Sequence, residues 1–155
     1  MHLSRHFIMS LLLALILFPF IGFASLLVFV GGFLIDVDHY VYYLLRYKKV
    51  NPLDAYRFYL SNREGFPQVL HIFHTYEILL VIFILALFSE VVAIIVLGIL
   101  LHIGMDLLDL LNTFTQRRDT SIRLKIFYQY QRAYSLLGWT LRELEGRQYP
   151  TKYGL

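Results

Sequence analysis

Nine ionisable side chains lie inside or at the ends of otherwise apolar stretches: Asp36, Asp38, His39, His71, His74, Glu77, His102, Asp106 and Asp109. A charged group at the centre of a membrane helix costs about 2.5–3.5 kcal/mol on insertion scales, so each needs a proton, a partner or a function. No Lys or Arg occurs inside these runs to pair with the carboxylates. Oxygen and imidazole donors together suit a divalent metal, and with no cysteine in the chain any metal must be held by nitrogen and oxygen.

The nine residues fall into three clusters. Gly31-Gly32-Phe33-Leu34-Ile35-Asp36-Val37-Asp38-His39 ends an apolar segment in two carboxylates and an imidazole, which either ligate or simply end a helix in water. His71, His74 and Glu77 are spaced by three, which predicts neighbouring positions on one helical stripe; an interfacial, backbone-bonded His71 is equally open. His102, Asp106 and Asp109 share a face at 100° per residue. A His-x-x-x-Asp pair supplies two ligands to one metal, or one ligand with the carboxylate that orients it. The candidates exceed the four positions of one tetrahedral zinc, so two ions or one ion with orienting partners both fit.

The elements that must position them are helical and membrane-like. Of 155 residues, 58% are hydrophobic and 16% charged, with mean hydropathy +0.60. Soluble chains run nearer ~45–50% apolar and ~25% charged. Apolar segments cover 7–35, 69–88 and 91–111, and the last two predict a helical hairpin turning at Ser89 and Glu90. The first is too long for one simple span, and Pro19 and Gly22 predict either a kink or two short helices. His6 becomes a ligand only if that run doubles back. A cleaved signal peptide is disfavoured because the run is too long and lacks a small-x-small site.

Basic residues concentrate in the segment from Arg46 to Arg63 and in the tail from Arg117 to Lys152, both on one side of the hairpin, which the positive-inside rule makes cytoplasmic. Tyrosines crowd both segments at what would be headgroup level. Asp119 or Thr120 is the expected cap of an amphipathic tail helix over 119–147. The predicted architecture is one all-α domain over 1–155: an integral membrane helical bundle of three to four transmembrane or re-entrant helices plus an amphipathic C-terminal helix. The +3 net charge fits anionic lipid rather than nucleic acid, and homo-oligomerisation is open.

The order Gly-Phe-Leu-Ile-Asp36-Val-Asp38-His39, Leu70-His71-Ile-Phe-His74-Thr75 and Leu101-His102-Ile-Gly-Met-Asp106 resembles the YdjM-like family of membrane-bound metal-dependent hydrolases, over roughly residues 25–112. The likeness implies metal ligation by Asp36, Asp38, His39, His74, His102 and Asp106. Ile35 stands where that family has Pro, the His-Arg-Gly part of the second motif is absent, and Tyr76 replaces a Ser-like position. His71 and Glu77 therefore have no clean counterpart.

These readings converge on a hydrolase in the inner or plasma membrane. It would use one or two divalent ions, foremost zinc, against a phosphoester or ester of a small molecule or lipid at the cytoplasmic headgroup level. Glu77 or Asp109 is the expected general base or orienting group. The competing class is a non-enzymatic membrane protein using the same cluster as a structural metal clip or an ion path.

Overall fold

A computed structural model describes residues 3–61, 71–116 and 134–144. Seven α-helices are present among them: α1 Leu3–Ile21, α2 Leu26–Gly32, α3 Val37–Tyr47, α4 Pro52–Ser61, α5 Tyr76–Ala86, α6 Glu90–Gln116 and α7 Leu136–Leu144. Short 3₁₀ turns at Gly22–Ser25, Leu34–Asp36 and Ile72–His74 join or precede them. No strand occurs among the described residues.

The first apolar run is two helices. Helix α1 continues two residues past Pro19, then Gly22 takes φ +57°, a conformation that glycine adopts without steric cost. The chain folds back there, so that Phe7 lies edge-on to Phe29 and Phe33 at ring separations of 5.2 and 5.3 Å. A second hairpin, α5–α6, turns through Leu87 and Phe88, and the 3₁₀ turn after α1 packs on α6. Both turns are tipped with apolar side chains: Phe23 is 79% exposed and Phe88 82%.

Two helical stretches, Leu3–Tyr47 and Glu90–Gln116, are long and apolar enough by length and composition to cross a membrane. The second apolar run differs from expectation. It supplies only the 11 residues of α5, about 16 Å at 1.5 Å per residue, short of a ~30 Å hydrocarbon core. The expected cap residues of the tail helix, Asp119 and Thr120, and most of its length lie outside the described residues. The described part is α7, whose start is capped by Ser135, its Oγ accepting from Gly138 N–H at 3.2 Å.

Burial is inverted relative to a water-soluble fold. The interior holds His6, Ser10, Ser25, Asp36, Asp38, His71, His74, Thr75 and His102, while long apolar side chains such as Leu15, Ile16, Leu80 and Leu108 face outward. Such a surface is cheap only against an apolar medium.

The two hairpins join through the contact of α2 with α6. Here the backbones touch: a Cβ on Gly98 would lie 2.1 Å from the Val28 carbonyl oxygen, and one on Gly31 would lie 2.0 Å from that of Ile95. Small residues permit this approach, as at close-packed membrane helices generally. Gly104, farther along α6, has open space around it. Gly98→Leu is therefore expected to lower the thermal unfolding temperature in detergent or abolish folding, whereas Gly104→Ala leaves it equal or slightly raised. Equal tolerance of both substitutions would contradict the backbone contact.

Candidate metal centre

The close approach of α2 and α6 fixes the first ligand. His102 Nδ1 donates to the Gly32 carbonyl at 2.9 Å, and because a carbonyl only accepts, the proton sits on Nδ1. Its Nε2 then carries the lone pair. His74, in the 3₁₀ turn before α5, is oriented in the same manner: its Nδ1 faces Asp38 Oδ2 at 3.2 Å, leaving Nε2 bare. The two Nε2 atoms face each other at 3.0 Å.

Asp36 completes the arrangement. Its Oδ1 lies 3.6 Å from His74 Nε2 and 3.5 Å from His102 Nε2. The residue is 8% exposed, and neither of its oxygens has a hydrogen-bond partner among the described residues. From α6, one turn on, Asp106 places Oδ2 3.4 Å from His102 Nε2. These separations of 3.0–3.6 Å bracket the edge of about 3.3 Å that a tetrahedron of zinc ligands at ~2.0–2.1 Å would have. The buried His and Asp groups could thus hold a metal ion.

Around these donors stand orienting partners. Asp38 accepts from His39 Nδ1 at 2.7 Å, from the Phe73 N–H at 3.1 Å and from His74, so it resembles the carboxylate that steers a metal-binding imidazole. Asp38, His39 and His74 also form a second group whose ligand atoms all lie within 4.8 Å of one another. Tyr59 donates its hydroxyl to the His39 carbonyl at 2.9 Å, and burial raises the phenol's pKa, keeping that donor protonated. Two carboxylates, Asp36 and Asp38, are buried here and Asp106 is nearly so, and among the described residues no Lys or Arg pairs with them.

His6 belongs to the cluster. Because α1 folds back on α2, its ring lies 4.1 Å from that of His102, tilted by 32°, and Nε2 lies 3.3 Å from Asp106 Oδ1. His6, Asp36 and His102 make a further group with ligand atoms within 4.8 Å.

The structure places three sequence candidates differently. His71 and Thr75 are extended and the helix begins at Tyr76, so His71, His74 and Glu77 do not share a helical stripe. His71 stacks on His39 with ring centres 3.6 Å apart, and burial, followed by the charge of His39, pushes its imidazole well below the usual histidine range. It lies outside the three ligand groups.

Glu77 is turned away to the tail. Its carboxylate accepts from Ser135 Oγ at 2.8 Å, Leu136 N–H at 3.1 Å and Leu137 N–H at 3.4 Å, capping α7. Backbone donors, first its own N–H and then that of Leu136, hold it well below the usual carboxylate range. Asp109 shares a face with His102 but lies two turns, about 10.5 Å, further along α6. There it pairs with Arg5 at 3.1 Å. Both carboxylates expected as general base or orienting group thus have partners outside the ligand groups.

The chain matches no family model, no curated protein and no solved structure. What the arrangement can do therefore rests on its own geometry.

The tail segment is anchored beside the centre. Tyr76 N–H donates to the Tyr134 carbonyl at 2.9 Å, and the Tyr134 ring lies 6.1 Å from that of His74. Glu77→Ala is expected to release α7, read as faster limited proteolysis within 134–144, with metal content unchanged. Loss of metal with an unchanged digestion pattern would restore Glu77 to the centre.

Proposed function

We propose that the chain is a membrane-embedded metal-dependent hydrolase acting on a phosphoester or ester at headgroup level. One observation carries this reading: two imidazole Nε2 atoms 3.0 Å apart and a carboxylate without hydrogen-bond partners converge in a buried space, with no Lys or Arg beside them among the described residues. A proton between the two nitrogens would give Asp36 a cationic neighbour at 3.5–3.6 Å but no hydrogen bond. A divalent cation satisfies all three groups, and two imidazoles with carboxylates at these separations favour zinc.

A bound divalent cation supplies a water acidified toward neutral pH and polarises an ester oxygen. The chain's residues do the rest. Asp36, His74, His102 and Asp106 are the holding set, with His6 and the Asp38–His39 pair available to a second ion or as orienting groups. Asp38 keeps the His74 proton on Nδ1, and Gly32 does the same for His102, so that both present Nε2. Asp106 bridges His102 and His6, so its carboxylate ties the holding set to the His6 imidazole.

The resemblance to the YdjM-like hydrolases is in line with the same reading, since it implies metal ligation by Asp36, Asp38, His39, His74, His102 and Asp106. In the proposed topology both hairpin tips lie within the bilayer of the inner or plasma membrane, with the basic segments cytoplasmic.

The test is hydrolysis of p-nitrophenyl phosphate, bis(p-nitrophenyl) phosphate and a p-nitrophenyl carboxylic ester by detergent-purified protein. Turnover of at least one is expected, abolished by chelator, restored by zinc, and reduced at least about 100-fold in Asp36→Ala. If no substrate is turned over while chelator lowers the unfolding temperature, the cluster is a structural metal clip and not an active site.

A further inference from the structure

Between the start of α1 and the second half of α6 lies a cleft of about 350 Å³. Met9, Met105 and Leu108 form its apolar walls, the Arg5–Asp109 pair lies at its rim, and His6 lines it. His6 is 2% exposed, and its Nδ1 has no hydrogen-bond partner among the described residues. Through Asp106 and the neighbouring His102 ring the same imidazole adjoins the candidate metal centre. The cleft thus leads from the outer surface of two bilayer-length helices to a partnerless buried nitrogen beside the cluster.

We propose that this cleft is a lateral entry for a membrane lipid with an anionic phosphate headgroup, which makes such a lipid the substrate class of the hydrolase. The inference rests on the hydrolase reading for the reaction, though not for the binding. Three features point to lipid. The walls belong to α1 and α6, whose outward side chains are apolar, Leu108 being 66% exposed, so the medium beside the opening is the acyl-chain region. The cation sits at the first turn of α1, where a headgroup would lie against it. Arg5 is 61% exposed, and Asp109 anchors its Nη1 over the opening, which leaves other donors of the guanidinium fork for a phosphate. A water-borne phosphoester would gain nothing from the Met9, Met105 and Leu108 walls.

Wild-type protein is placed in dodecyl maltoside micelles with equimolar phosphatidic acid and phosphatidylcholine. Retained lipid is counted by native mass spectrometry, and metal content is measured on the same samples. Wild type is expected to retain phosphatidic acid over phosphatidylcholine by about tenfold. Arg5→Gln brings that ratio close to one, Arg5→Lys keeps part of it, and Leu108→Trp, a substitution at an exposed position, lowers retention of both lipids. Wild-type metal content in all three variants is part of the expected result. The proposal is overturned if wild type shows no preference, if Leu108→Trp retains lipid normally, or if inorganic phosphate displaces phosphatidic acid and the site reads only the anion. A metal-free wild type that keeps the lipid preference would uphold the cleft and remove the hydrolase reading.

Discussion

Two imidazole nitrogens that face each other across 3.0 Å, with a buried carboxylate oxygen at about equal distance from both, make a cavity suited to positive charge. Much of the fold serves that arrangement. The Gly31 and Gly98 contacts let α2 lie on α6 closely enough for the Gly32 carbonyl to take the His102 proton. Folding back at Gly22 brings His6 to the same place, and the 3₁₀ turn before α5 lets Asp38 steer His74. Burying carboxylates and imidazoles together is costly, and a bound cation would offset that cost.

The apolar exterior and polar interior both suit an apolar solvent. In an apolar medium helix association gains little from hydrophobic burial, so close backbone packing and polar contacts hold the helices together. Glycine-mediated contact and the histidine–aspartate network supply both here. Among the described residues the buried apolar set is small, Val28, Val96 and Ile99 lying near the α2–α6 contact while the polar set fills the centre. Assembly and site formation are thereby linked, since the residues that would bind the cation are also those that join α2, α3, α5 and α6.

Legibility in the sequence tracked locality. His102 and Asp106 were readable because both lie on one uninterrupted helix, where a spacing of four fixes a shared face. Asp36, Asp38 and His39 were readable as an ionisable group at the end of an apolar run, though not the division of labour in which Asp36 faces the nitrogens and Asp38 orients His74. The stripe drawn through His71, His74 and Glu77 failed because the helix starts after Thr75, and three-residue spacing carries no facial meaning in an extended turn. The capping contacts of Glu77 were not readable because its partners lie 58–60 residues away, beyond any local pattern. His6 depended on a fold-back that Pro19 and Gly22 suggested without deciding. Asp109 showed the limit of angular reasoning: a shared face ignores the rise along the helix, and Arg5 was nearer.

The most direct measurement is metal stoichiometry with X-ray absorption on protein purified in detergent at neutral pH, beside an Asp36→Ala, His102→Ala double variant. One to two equivalents of a divalent transition metal are predicted, with a nitrogen and oxygen shell near ~2.0–2.1 Å that includes imidazole scattering and is lost in the variant. A folded wild-type protein that neither retains nor takes up such a metal would contradict the account, as would a variant that binds it undiminished.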